Sequence, residues 1–244
     1  MSKPDTPMDH YSLDCETLST EPNAAVIAIG VVQFDPNTAK QGKKMYWSID
    51  IASAMKSGRV DADTLLWWMK QDPRAQKVFF EDKKVPLVQA LDELATFMRS
   101  NSMAPILWVK KVQADVFWLI NAYKNGTVGL QPPWHHRNVR DMTTLVDAAG
   151  MTGTEWPFPQ GVKHNALDDA IYQAHIISMA WMKCRGISPV VAPLVIPGAT
   201  EKRSVGKAVL PVEKTEPAKI QPDPYLEGIA NRNKPPIPGD FEEF

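Results

Sequence analysis

Asp14 and Glu16 stand one residue apart in the run Tyr11-Ser12-Leu13-Asp14-Cys15-Glu16-Thr17-Leu18. In an extended strand, residues two apart point the same way, so both acids share one face while Leu13 and Cys15 turn to the core. Two carboxylates held that close repel unless a cation bridges them or one takes a proton. An exposed acidic strand end is the alternative for this segment alone. Far along the chain, His164-Asn165-Ala166-Leu167-Asp168-Asp169 reads as a helix start. Asn165 caps it, Asp168 favours its positive end, and Asp169 falls in the first turns. His164 stays on the preceding loop, free to approach a phosphate. Asp115 opens another helix after an apolar strand, where a simple capping role would also account for it. Strand acids, a helix-start acid and a late His followed five residues on by an acid occur in the chain order of a known metal-site architecture.

The elements that must position these residues follow from patterning. His10 to Leu18, Ala24 to Phe34 and Met45 to Ile51 are expected strands, separated by turn pieces such as Glu21-Pro22-Asn23 and Asp35-Pro36-Asn37. Asp61 to Lys70 is a helix that ends before Asp72-Pro73. Pro86 to Arg99 is a second helix, with Leu87, Leu91, Leu94 and Met98 on one face. Pro105 to Val109 follows as a short strand, Asp115 to Lys124 as a helix closed by Asn125-Gly126, and His136 to Val139 as a strand. Met142 to Ala149 is a helix that Gly150 terminates. The last helix, Asn165 to Cys184, carries a buried stripe of Leu167, Ile171, Ala174, Ile177 and Trp181. The expected fold class is α/β: a mixed sheet, made of a three-strand meander plus further strands, flanked by helices.

A chain of 244 residues with 44% hydrophobic content can bury one sizeable core. Its formal net charge of -1 supplies no global basic field, so a polyanion has to be held by a local patch or by bound metal. Cys15 and Cys184 support neither a disulfide framework nor a Cys-based zinc site. The N-terminus lacks an apolar core of the signal-peptide type, and no run of about 18 uncharged apolar residues occurs. The expected location is the cytoplasm, with no membrane partner. From Ile187 onward prolines recur without sustained periodicity, which predicts a folded domain over 8–186 and a Pro-rich flexible tail over 187–244.

Taken in order, Asp14-Cys15-Glu16, Asp115 and His164-Asn165-Ala166-Leu167-Asp168-Asp169 match three motifs of the DEDDh branch of the DnaQ-like 3'-5' exonucleases, in the RNase H-like superfamily. The chain resembles that family over about residues 8 to 185. More narrowly, Asp14-Cys15-Glu16-Thr17-Leu18, Trp67-Trp68-Met69-Lys70-Gln71 and Arg137-Asn138-Val139-Arg140-Asp141 look like segments of the exonuclease VIII-like proteins of phages and enterobacteria. One stretch departs from the pattern. Relatives carry Gly-x-Gly-x-x-Phe-Asp at the central motif, whereas this chain has Val109-Lys110-Lys111-Val112-Gln113-Ala114-Asp115, without the glycines and the aromatic.

The resemblance implies an RNase H-like fold and a metal-dependent enzyme acting on DNA or RNA with a 3' end, releasing nucleoside 5'-monophosphates. It implies two Mg2+ or Mn2+ ions held by Asp14, Glu16, Asp115 and Asp169, with His164 as general base. Thr17 and Leu18 would line the pocket of the terminal nucleotide. Trp67 and Trp68 lie about 100° apart on a helix, so one enters the core and the other is open to a base; Trp68 is assigned to the substrate. Lys111 and Lys163, with Lys110, would flank the site and hold the phosphate backbone. The end Pro238-Gly239-Asp240-Phe241-Glu242-Glu243-Phe244 and the segment Gln221 to Leu226 suggest docking on a replication or repair protein, against the alternative of a plain solubilising tail. A second reading of the whole chain is a catalytically weak RNase H-like module that binds nucleic acid or a replication protein. A third is an endonuclease of the RNase H type, which would not need His164.

Overall fold

Strand β2 (Val26–Phe34) is buried along its whole length, which in a sheet requires cover on both faces. It pairs antiparallel with β1 (His10–Thr17) on one side and with β3 (Gln41–Ser48) on the other. Two further strands, β4 (Ile106–Val109) and β5 (Val139–Asp141), add in parallel beyond β1, giving the order β3-β2-β1-β4-β5. The computed structural model describes residues 8–153 and 161–187. The Pro-rich tail, Gln221 to Leu226 and the C-terminal Phe244 therefore lie outside the described residues.

Alternation along β1 and β2 divides the core between the two faces of the sheet. Tyr11, Leu13, Cys15, Ile27, Ile29 and Val31 pack with α4 (Leu87–Asn101) and α5 (Phe117–Gly126). Val32, Phe34 and Trp108 pack instead with α6 (Met142–Ala148) and α7 (Ala166–Cys184). Asp14 and Glu16, one step out of phase with Leu13 and Cys15, thus fall on the α7 face. The mixed sheet flanked by helices is the fold class expected from the sequence.

Several boundaries differ for local reasons. The third strand begins at Gln41 and ends at Ser48 rather than running from Met45 to Ile51. It lies at the sheet edge, where Lys43 and Lys44 are compatible with a strand, and Asp50 diverts the chain by accepting a hydrogen bond from Ser53 N at 2.7 Å. The result is a short helix, α1 (Ile51–Met55), followed by α2 (Ala62–Trp68) and α3 (Pro73–Gln76). The expected strand from His136 to Val139 is a 3-10 turn at His136–Asn138 leading into β5. No helix among the described residues is long and apolar enough to cross a membrane.

Candidate active site

The register of β1 explains how the first two acids reach the site. Asp14 pairs opposite Gly30 of β2, and a Cβ at Gly30 would stand 2.2 Å from the backbone carbon of Ala166. Only glycine lets the start of α7 lie so close to the sheet, and that approach brings the segment from His164 to Asp169 alongside Asp14. Nothing in the periodicity of β2 marks Gly30 as a site residue; a glycine inside an otherwise bulky strand is the available signal.

Asp115 arrives by a different route from the one its sequence suggests. It is not an N-cap: Val112–Val116 form a single π turn that runs directly into α5. Val112 N, at the start of that turn, donates to Asp141 Oδ2 at 3.1 Å, which ties it to the end of β5. The wider turn directs Asp115 back at β1, where its Oδ1 accepts from Cys15 N at 3.0 Å. The stretch that lacks the glycines of its relatives still delivers the acid to the strand.

The start of α7 builds the third side. Asn165 Oδ1 caps the helix by accepting from Leu167 N at 3.1 Å and Asp168 N at 3.2 Å. Asp168 Oδ2 accepts from Val162 N at 2.8 Å, and Asp169 Oδ2 accepts from His164 N at 2.9 Å. Both carboxylates thus shape the loop that carries His164, whose φ of 64° lies in the left-handed region that β-carbon-bearing residues avoid. Its imidazole packs edge-on against Trp67, with ring centroids 4.8 Å apart, and against Trp68 at 6.2 Å.

Asp14, Glu16, Asp115, His164 and Asp169 line one cleft of about 330 Å³, together with Lys110, Lys111 and Lys163. Within it, ligand atoms of Glu16, His164 and Asp169 all lie within 4.8 Å of one another. Asp14 is held from behind, its Oδ1 accepting from Gln173 Nε2 at 2.7 Å. Burial, followed by the charges of Asp115, Glu16 and Asp169, holds the Asp14 carboxyl well above the usual carboxylate range, against the opposing hydrogen bond from Gln173. Glu16 is raised in the same way by burial, Asp169 and Asp115. Burial pushes Asp115 up to about 7, and it also raises Asp169. His164 moves the other way: burial, Lys163 and Lys110 lower it, so the imidazole is neutral at pH 7. Carboxylates from three distant segments, each resisting ionisation beside the others, make an oxygen-rich donor set that fits a hard divalent cation and is relieved by one.

The remaining expected substrate residues divide. Thr17 lines an adjoining cleft of about 370 Å³ that shares Cys15, Glu16 and Trp118 with the first. Leu18, at 2% exposure, belongs to the core instead, because the strand end packs it inward. Trp68 is likewise 2% exposed, and its Nε1 donates to Thr17 O at 2.9 Å. That hydrogen bond anchors α2 to the end of β1 and keeps Trp68 largely buried at the wall of the adjoining cleft. Both tryptophans line the adjoining cleft, and Trp67, at 41% exposure, is the more open of the pair.

Comparison with known proteins bears on this arrangement. The sequence pattern of the family described as a 3'-5' exoribonuclease Rv2179c-like domain matches residues 9–181. The chain belongs to that family. Membership carries the class of enzyme expected from the sequence, a 3'-5' exonuclease. An exodeoxyribonuclease of Enterobacteria phage T4 is 24% identical over 196 residues, covering 66% of this chain and 84% of the phage protein. Among solved structures, the nuclease domain of 3'hExo, a DEDDh family member bound to rAMP, has a TM-score of 0.48 at 15% identity, over 75% of this chain and 96% of that one. E. coli exonuclease I in a complex with single-stranded DNA has a TM-score of 0.44 at 16% identity, over 72% of this chain and 40% of that one.

Proposed function

We propose that this exonuclease hydrolyses phosphodiester bonds from 3' ends with two divalent cations, Mg2+ or Mn2+, held by Asp14, Glu16, Asp115 and Asp169, and with His164 as general base. The observation that carries the reading is the convergence of these carboxylates from β1, the π turn and α7 on one cleft, beside an imidazole kept neutral by its surroundings. Divalent cations bound there would clamp the scissile phosphate, make water more acidic and stabilise the leaving 3'-oxygen.

The chain's own groups account for the rest. His164, neutral and held by Asp169 and the tryptophan rings, accepts the proton of the attacking water. Lys110, Lys111 and Lys163 place positive charge around the cleft, which draws the phosphate backbone toward it although the chain as a whole has a net charge of -1. Trp67 offers its exposed ring to the terminal base, and Thr17 lines the same adjoining cleft. Cleavage releases a nucleoside 5'-monophosphate from DNA or RNA. The family's description as an exoribonuclease and the deoxyribonuclease name of the phage relative make both substrates candidates.

The test is to incubate the full chain with end-labelled single-stranded and duplex DNA and RNA in Mg2+, beside the Asp169→Asn variant. Mononucleotides should accumulate from the 3' end with the wild type, and be absent in EDTA and with the variant. Internal cuts, or release that persists without metal, would refute the reading.

A further inference from the structure

Gln173 is a buried amide in the wall of the metal cleft whose hydrogen bonding is incomplete. It lies on α7, four residues beyond Asp169, and is 4% exposed. Its Nε2 donates to Asp14 Oδ1 at 2.7 Å across 159 positions of sequence. In this arrangement the amide nitrogen faces the Asp14 oxygen, the orientation that an ionised, metal-binding carboxylate requires. Its Oε1 is also buried and has no hydrogen-bond partner among the described residues.

A glutamine retained for stability would be expected to satisfy both ends. The neighbouring α7 positions Ile171, Ala174, Ile176 and Ile177 pack as plain apolar residues, and an apolar side chain at 173 would leave no orphaned carbonyl. The polar group therefore earns its place through the single bond it makes. That bond engages one oxygen of Asp14 from the α7 side, on a residue that lines the cleft.

We infer that Gln173 is a positioning residue for metal binding: its amide holds the Asp14 carboxylate in the orientation that receives a divalent cation. The inference rests on the reading of the carboxylate cleft as a cation site. An amide holding a ligand from behind spares the site the entropy of ordering it, and removal of such a partner lowers metal affinity by roughly tenfold to a hundredfold.

Mn2+ binding to the full-length chain in the absence of nucleic acid, followed by electron paramagnetic resonance of the free ion, tests this directly. Gln173→Leu and Gln173→Met, the latter keeping the length of the side chain, remove the donor. Each should raise the Mn2+ dissociation constant about tenfold to a hundredfold. Thermal melting in EDTA should stay close to that of the wild type, which a merely structural role would not allow, and activity lost at low metal should return as Mn2+ is raised. A dissociation constant within twofold of the wild type in a folded variant would overturn the inference, as would melting in EDTA that falls in both variants in step with affinity. Asp14→Asn serves as the reference. If it weakens Mn2+ binding while the Gln173 variants do not, the inference alone fails. If the wild type does not bind Mn2+, or Asp14→Asn binds it as the wild type does, the cation-site reading fails with it.

Discussion

His164 is held in a conformation that costs of order 1 to 3 kcal/mol for a residue with a β-carbon, and the neighbours that keep it there are the Asp169 carboxylate and the ring of Trp67. Strain maintained by site residues suits a base that must meet its proton at a fixed place. His164→Ala should lower kcat roughly 100-fold to 10,000-fold at saturating metal; an unchanged kcat would remove the imidazole from the reaction. The pH profile should carry two separable acid limbs. Cations compete with protons for carboxylates whose affinities are raised, Asp115 to about 7, so at low Mg2+ activity should fall below neutrality. Raising Mg2+ should move that limb down until the titration of His164, lowered from 6.5, sets the limit. A limb that ignores Mg2+ concentration would contradict this. Trp67→Ala should weaken substrate binding by about 1 to 3 kcal/mol, or roughly 5- to 140-fold in KM, with Trp67→Phe retaining much of the contact.

The elements matter through where they touch. Helix α7 approaches β2 at Gly30 so closely that even a methyl group there would meet the backbone of Ala166 and Leu167. Gly30→Ala should push the start of α7 off the sheet, lowering the melting temperature by roughly 2 to 12 °C and reducing activity at the same time. A variant that melts and cleaves like the wild type would show that the approach has slack. The π turn at Val112–Val116 plays the corresponding part for Asp115, since it converts the end of β4 into a platform that aims a carboxylate back at Cys15 N. The sheet meander and the long last helix were legible from β-rich runs broken by turn-forming pieces and from the apolar repeat of α7. The π turn was not, because Lys110 to Ala114 contain neither the glycines of related loops nor any residue type specific to a π turn.

At the scale of the whole molecule, the clustered acids oppose the metal-free fold. Their folded-state proton affinities are raised above the unfolded values near 4, so their contribution to stability is present at acid pH and is lost as pH climbs through the raised values, to about 7 for Asp115. In EDTA the protein should therefore melt at a higher temperature at pH 5.5 than at pH 8. Mn2+ should reverse the loss at pH 8, and Asp14→Asn should raise the EDTA melting temperature at that pH. Calorimetry over this range checks all three; a metal-free protein more stable at pH 8 would contradict the mutual repulsion. Local rules acting over a few positions put Asp14 and Glu16 on one strand face and Asp169 at a helix start, but Asp14, Glu16, Asp115, His164 and Asp169 were singled out together by the order of three motifs that resemble the DEDDh exonucleases, and the capping role open to Asp115 gave way to a π turn. Which tryptophan faces out, the burial of Leu18, the dependence on Gly30 and the bond from Gln173 to Asp14 were decided only when distant segments packed. Each depends on contacts between residues far apart in sequence, such as Trp68 with the Thr17 carbonyl, for which no local pattern exists.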